Sequence, residues 1–476
     1  MEISPEKIKE VVKEIVERMT KKEAELPEVK AGAGDLGVFP NVEEAIEAAR
    51  IAQRELFRES LEKRSKYIEA MREASIREAE SLAKLAWEET GMGRWEDKVQ
   101  KNLLAAQKTP GVEDLHPIAY TGDHGLTLVE MAPFGVIGAV VPSTNPSSTI
   151  INNSISIIAA GNSVVFAPHP AAKKVSLKSI QILNEAIIKA GGPANLMTTA
   201  AKPSIEEAQT LFRHPKIKLI LVTGGPAVVK AAMACGKKVI AAGPGNPPVV
   251  VDETSDLEHA CDSIIKGASF DNGVLCTAEK EIIAVEAIAD RLLELLRKDP
   301  RTYELKKEEF EKLTKAVILE PGGPGKEPKV SREYIGKDAT LIASKIGIKV
   351  PESVRLLFCE VDRNHSYIWT EQLMPVIPFV RVKDVNEAIS FAVEVEQGNK
   401  HTAIMHSLNV ANLTKMAKTA QVSIFVKNAP SYAGLGYEGE GYATMSIATP
   451  TGEGLTKAST FTRPLRCVLV DYFRIA

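Results

Sequence analysis

Short runs rich in Val and Ile recur along the chain, each separated from the next by a stretch of helical periodicity. SVVFAP (163–168), IKLILVTGG (217–225), PPVVVD (247–252), EIIAV (281–285), VIPFVRV (376–382), TAIMHS (402–407) and SIFVKN (423–428) are such runs. Helical spacing fills 147–160, 171–190, 226–235, 256–270, 286–298 and 385–396 between them. Strands that are apolar throughout, rather than alternating, are buried on both faces. The pattern therefore predicts an α/β fold with parallel sheets covered by helices on both sides. A chain of 476 residues, 44% hydrophobic, can fill two or three domains of this kind. Residues 42–107 carry helical pattern with few Gly or Pro, and 127–142 is β-rich. The last run, LRCVLVDYF (465–473), has no helix after it. An isolated strand calls for a partner, either near 117–130 or in another subunit.

Charge narrows the function classes. The chain carries 59 basic and 62 acidic residues, a net charge of -3. That excludes the basic footprint of a nucleic-acid binder. The apolar runs are too short and interrupted to span a bilayer. Five cysteines, Cys235, Cys261, Cys276, Cys359 and Cys467, are widely spaced and form no CxxC pair. A disulfide framework or a metal site is not expected from them, and a reducing cytoplasmic setting fits.

The first 20 residues read as a separate amphipathic helix. Ser4 is placed to cap it, Pro5 and Glu6 follow, and Ile8, Val11, Val12, Ile15, Val16 and Met19 share one face. No apolar core of a secretory signal is present there. Pro27, AGAG at 31–34 and Pro40 then read as a linker.

Three places carry candidate chemistry. Cys276 lies in FDNGVLCTAEK (270–280), a Gly-containing loop between a helix and a strand. It is either a nucleophile or a buried cysteine acting as a small hydrophobe. The other four cysteines sit in apolar helix or strand patterns and read as core residues. Asn145 follows the strand GVIGAVVP (135–142). Its amide can donate to an oxyanion at the carboxyl end of that strand, or cap the helix beginning at Pro146. Thr223, Gly224 and Gly225 join a buried strand to a helix, half of a dinucleotide signature. A full GxGxxG match at Gly434, Gly436 and Gly439 has no helical pattern after it, so a tightly turned loop is expected instead.

LILVTGGP, IAAGPGNPP, NGVLCTAEK and TEQLMP occur in that order. With them the chain resembles the aldehyde dehydrogenase superfamily over residues 36–476. FAPHP (166–170), GPGNPP (243–248), IATPTGEG (447–454) and FTRPLRCVL (461–469) resemble its CoA-acylating branch, the propionaldehyde and acetaldehyde dehydrogenases of bacterial propanediol and ethanolamine utilisation. The resemblance implies two doubly wound, Rossmann-like domains and a small β oligomerisation arm. It places an NAD-binding domain at 36–116 and 131–240 and a catalytic domain at 241–457. Oligomerisation strands fall at 117–130 and 458–476, and residues 21–35 link the N-terminal helix.

The same resemblance assigns roles. Cys276 attacks the aldehyde carbonyl, and Asn145 with the Cys276 backbone N–H holds the oxyanion. Thr144, Thr223, Gly224 and Gly225 line the cofactor cleft, and Glu371 hydrogen-bonds the nicotinamide ribose; otherwise Glu371 is a surface residue. Hydrolytic relatives carry a glutamate base where this chain has Ala241, so coenzyme A is implied as co-substrate in place of water. They also carry a Lys-Pro pair where this chain has Ala167, Pro168 and His169, which leaves NAD against NADP open. A short-chain aldehyde is the implied substrate, with reversible chemistry. Residues 1–20 are implied to dock on a microcompartment shell protein, the alternative being a helix packed on the enzyme's own oligomer, and the terminal strand implies a dimer, or a tetramer of two dimers. A hydrolytic enzyme would need its base elsewhere, at Glu440 or Glu453. A non-catalytic binding protein on the same fold is the third alternative.

Overall fold

The structure, a computed structural model, describes residues 36–323, 326 and 328–476. The helix expected at 1–20 and the linker at 21–35 lie outside the described residues. The helical pattern of 42–107 divides into four helices, α1 (Val42–Phe57), α2 (Leu61–Arg77), α3 (Ala79–Thr90) and α4 (Trp95–Lys108). Local caps make the breaks. Asn41 accepts the Glu44 N–H at 3.0 Å and Ser60 that of Lys63 at 3.3 Å, while Gly91 ends α3 in the left-handed region at φ 63°.

The first sheet has six parallel strands in the spatial order Val38–Phe39, Met197–Ala200, Ser163–Pro168, Val136–Val141, Ile217–Thr223, Lys238–Ala242. The chain runs outward from Val136–Val141 through helices α5 (Pro146–Ala159) and α6 (Lys173–Lys189). It then returns to the other side of the same strand through α7 (Ile205–Arg213) and continues through α8 (Pro226–Met233). The winding reverses between Val136–Val141 and Ile217–Thr223. Open α/β sheets bind ligands at the carboxyl ends of strands beside such a reversal. Helix α5 is buried along its whole length, which its Ile-rich, uncharged sequence permits.

The second sheet has seven parallel strands, ordered Thr302–Glu304, Leu356–Glu360, Val376–Val382, Glu281–Val285, Pro248–Val251, Thr402–His406, Ile424–Lys427. Helix α9 (Leu257–Ser269) follows Pro248–Val251. The strands at 302–304 and 356–360 belong to a stretch for which the sequence predicts no element. The helices Lys307–Val317 and Ala339–Lys345 fall in the same stretch.

The β-rich stretch 127–142 divides at Gly135, φ 119°. Its first part, Gly125–Pro133, leaves the parallel sheet and pairs with Ile118–Gly122 and with Thr462–Val470 in a three-stranded antiparallel arm. The terminal strand thus finds its partner within the chain. From Arg463 onward it is exposed on both faces. Among the described residues no helix is long and apolar enough to cross a membrane.

Candidate active site

Four residues stand just ahead of strands of the second sheet, at its amino edge. Gly245 precedes Pro248–Val251, Cys276 precedes Glu281–Val285, Glu371 precedes Val376–Val382, and His401 precedes Thr402–His406. Asn145 and Thr223–Gly225 stand at the carboxyl edge of the first sheet, on the two strands that flank its reversal. Side chains of α4 tie the two edges together, and the 444–451 segment bonds to the carboxyl edge of the first sheet.

Cys276 follows a short turn, Phe270–Gly273, in which Asp271 and Asn272 both take left-handed backbone at φ 47° and 54°. Asp and Asn tolerate that region better than most residues, and such strain clusters at functional sites. Asn272 secures the turn by donating to the Gly336 carbonyl at 3.0 Å and to Asp338 at 2.9 Å. The half-buried Cys276 packs against the main core. Burial pushes its thiol up to about 12; the Glu371 carboxylate adds to this, while the Lys280 and Lys101 charges oppose it. Lys280 is buried, and its Nζ donates to the Gly273 carbonyl at 3.0 Å.

Glu371 is not a surface residue. It is half-buried, burial raises its carboxyl to about 7, and its Oε1 accepts the Gly245 N–H at 3.4 Å. His401 is buried, with Nδ1 bonded to Thr402 Oγ1 at 2.8 Å and Nε2 without a partner. Desolvation lowers its imidazole to about 4, so it is neutral.

Asn145 holds the N-cap position of α5 but does not cap it. Its backbone sits at φ -136°, ψ 53°, and its side chain makes no cap bond. Instead Oδ1 accepts from Lys101 Nζ at 2.5 Å, and Nδ2 donates to Thr144 Oγ1 at 3.2 Å. An amide nitrogen carries two hydrogens, so a second one remains for a ligand oxygen.

Lys101 also lines a narrow cavity with Leu104, Phe270, Leu275, Tyr432 and Tyr437. The three aromatic rings form one wall, with centroids 5.0 to 5.6 Å apart. The glycines at 434–439 lie in the segment that carries Leu435 and Tyr437 into this wall. Gly434 lies within a tight turn, Ser431–Leu435, Gly436 ends it at φ 84°, and Gly439 follows; the next element is a short strand, Ile447–Ala448, and not a helix. A larger surface groove between α2 and the end of α4, lined by Ser65, Arg72 and Glu113 among others, holds no nucleophile.

Residues 36–438 match the Aldehyde dehydrogenase family. The chain belongs to that family. It is 52% identical to the acetaldehyde dehydrogenase (acetylating) EutE of Escherichia coli (strain K12) over 469 residues, 98% of this chain and 99% of that protein. Two solved structures are also similar. One is a propionaldehyde dehydrogenase from the Clostridium phytofermentans fucose utilisation bacterial microcompartment (TM-score 0.90, 48% identity, 93% of this chain and 100% of that one). The other is the Rhodopseudomonas palustris propionaldehyde dehydrogenase with bound CoA and an acylated cysteine (TM-score 0.89, 49% identity, 92% and 99%).

In this aldehyde dehydrogenase the backbone at the reversal of the first sheet is open at Gly225. A side chain added at Gly225 would meet nothing within 4 Å, and the positive end of α8 starts at the next residue. Thr223 bonds Ser446 Oγ at 2.7 Å, and Ser446 bonds the buried Asn153. Ala167 is half-buried and Pro168 buried, at the end of their strand; His169 is exposed and uses Nδ1 to accept the Ala171 N–H at 3.1 Å. No cation stands among these three. Ala241 is wholly buried at the end of Lys238–Ala242, its N–H donating to Thr451 Oγ1 at 2.9 Å. Glu440 is exposed, and Glu453 pairs with Lys238 at 3.7 Å. Among the described residues no group of three or more His, Cys, Asp or Glu is arranged to hold a metal ion.

Several site residues were not singled out in the sequence. Lys98, Lys101 and His401 carry no motif, and Asp271 and Lys280 lie in the Cys276 motif without a role of their own. The available signal was positional: Lys98 and Lys101 share a helix face with the apolar Leu104 and Ala105, and Asp271 stands five residues before the cysteine. Two cysteine readings also change. Cys261 and Cys359 are buried as expected, but Cys235 is half-buried after α8 and Cys467 is exposed on the arm. An antiparallel arm has no second layer to cover it, so an apolar pattern there does not mean burial.

Proposed function

We propose that this aldehyde dehydrogenase converts a short-chain aldehyde, a nicotinamide dinucleotide and coenzyme A into an acyl-CoA, reversibly, through a thioacyl group on Cys276. The carrying observation is Ala241. A methyl group, sealed from solvent, stands where water would need a carboxylate base. A thiol is a better nucleophile than water near neutral pH and does not need that base. The names of the relatives, acetylating and propionaldehyde dehydrogenases, support the same reading.

In this reading the Cys276 thiol loses its proton, which passes to solvent as the one proton released in the overall oxidation, and Sγ bonds to the aldehyde carbon. The carbonyl oxygen becomes an oxyanion that takes hydrogen bonds from Asn145 Nδ2 and the Cys276 backbone N–H. A nicotinamide held by the residues of the cleft would supply the acceptor for the hydride that leaves this carbon. Re-formation of the C=O bond leaves the acyl group on Cys276. The thiol of coenzyme A then takes the acyl group, and the thiol of Cys276 is restored. Thr144, Thr223, Gly224 and Gly225 hold the dinucleotide and Glu371 its ribose. The absence of the Lys-Pro lysine at Ala167, Pro168 and His169 relaxes the adenosine pocket, which favours exchange of reduced dinucleotide for coenzyme A in one cleft. The neutral imidazole of His401, with its free Nε2, is a base of the right protonation state beside the cysteine carbonyl.

The domain assignment follows: 36–116 with 131–240 binds dinucleotide, 241–457 carries the nucleophile, and 117–130 with 458–476 joins subunits. Residues 1–20, by their sequence pattern of one apolar face, supply the segment that docks on a shell protein. The microcompartment origin of one solved relative supports that destination. Product analysis tests the reaction. Propanal with NAD and coenzyme A should give propanoyl-CoA; propanoate as the main product would overturn the proposal.

A further inference from the structure

The amide of Asn145 is itself held by buried charge. Lys101 Nζ donates to its Oδ1 at 2.5 Å, and Lys98 Nζ donates to the carbonyl of Thr144 at 3.2 Å. The two lysines stand one turn apart on α4 and are only 2% and 3% exposed. One carboxylate serves both. Asp271, fully buried, pairs with Lys98 at 3.0 Å and with Lys101 more closely still. Asp271 is fixed in turn by the Arg94 N–H at 2.7 Å, and its own N–H donates to Asp97 at 2.8 Å.

The charge count is informative. With Asp97 matched by Arg94 at 3.9 Å and Arg355 at 3.5 Å, Lys98 and Asp271 alone would be a balanced buried pair. Lys101 adds a second cation to the same carboxylate, which is costly in a dry interior and is not needed to compensate Asp271. Its ammonium touches Oδ1 of Asn145 and borders the cavity beside Leu275, next to the nucleophile. An amide side chain has nearly the same shape either way round. Fixing its oxygen against a cation decides that the NH2 end is the one left for a ligand. The same cation draws electron density toward Oδ1 and makes the Nδ2 hydrogens stronger donors.

We infer that Lys101 is a positioning residue of the oxyanion hole, orienting and polarising the Asn145 amide toward the oxygen of the tetrahedral intermediate. The inference rests on the reading of Asn145 as oxyanion donor given above. Lys98 plays the matching part for the backbone, holding the Thr144 carbonyl and with it the turn that presents Asn145. Lys101 itself need not touch substrate.

The test is Lys101→Met, which keeps the length of the side chain and leaves Lys98 and Asp271 as a balanced pair. Removing one oxyanion donor costs about 10²–10³-fold in rate, so losing its orientation should slow the first-turnover burst of NADH by about 10–10²-fold. The KM for aldehyde should stay within about threefold, because the interaction strengthens only in the transition state. Lys101→Arg, which restores charge and donor, should recover at least part of the burst. The decisive comparison is with Asn145→Ala. Residues that act as one unit are not additive, so the double variant should lie within about twofold of Asn145→Ala alone. A folded Lys101→Met enzyme with the wild-type burst rate, or losses that multiply in the double variant, would overturn the inference. If Lys101→Met does not fold, Lys101→Ala, which leaves room for water, is read by the same criteria. A full-rate Asn145→Ala enzyme would instead overturn the underlying reading of Asn145.

Discussion

Gly245 lies so close to His401 that a methyl group on it would stand 2.8 Å from Cγ of the imidazole and 3.0 Å from the carbonyl oxygen of Cys276. The ring cannot swing away, since it is buried and bonded to Thr402. Only glycine lets the 243–248 segment pass between the nucleophile loop and the histidine. Gly245→Ala should therefore cost about 1–3 kcal/mol of stability by overpacking, read from the urea midpoint. It should lower kcat as well, because the displaced atoms belong to the site. A variant with unchanged midpoint and kcat would contradict this packing.

The wall of Phe270, Tyr432 and Tyr437 closes a narrow cavity beside Leu275, one residue before the nucleophile, and is expected to set the length of aldehyde that fits. Tyr437→Ala removes one ring and should favour longer substrates. The ratio of kcat/KM for hexanal over propanal should rise about tenfold, within the range that single methylenes command in an apolar pocket. An unchanged ratio would place the aldehyde elsewhere.

The resting thiol of Cys276 is protonated at neutral pH. Its folded value, up to about 12, lies above the ordinary thiol range, so the thiolate is scarce below that pH and grows as pH rises. Alkylation of Cys276 in the free enzyme, followed on its own peptide, should speed up about tenfold per pH unit from pH 8 to 10 without a plateau. Tracking the peptide matters because Cys235 and Cys467 are also accessible. A plateau near pH 7 would show a thiolate already present in the resting enzyme.

The arm exposes Val468 and Val470 at 56% and 59%, on one face of the terminal strand, with Ile118 and Tyr120 exposed on the neighbouring part of the arm. A three-stranded ribbon with both faces bare has no core of its own. A second copy of the chain should cover it. Val468→Glu with Val470→Glu should shift the protein to a smaller species in sedimentation. A monomeric wild-type protein would contradict the arm's role.

Much of the fold is legible in the sequence because parallel strands are apolar on both sides. SVVFAP, EIIAV and TAIMHS announce themselves, and the structure places each within a residue of its expected span. The strands at 302–304 and 356–360 do not. The first is only three residues long, and Gly and Pro at 321–328 interrupt the pattern between them. The site divides the same way. Cys276 and Asn145 follow from motif order. Lys98 and Lys101 do not, since a lysine on a helix with acidic neighbours reads as solvated. Only the closure of α4 onto the Asp271 turn shows that both are dry. The cap that Asn145 might have made is lost for the same reason, because Lys101 takes its oxygen.

Steady-state NADH formation from propanal and NAD, with and without coenzyme A, tests the central claim most directly. Turnover should depend on coenzyme A and yield propanoyl-CoA; without it only a single burst equal to the enzyme should appear, and none in Cys276→Ala. Sustained NADH formation in the absence of coenzyme A would contradict the account.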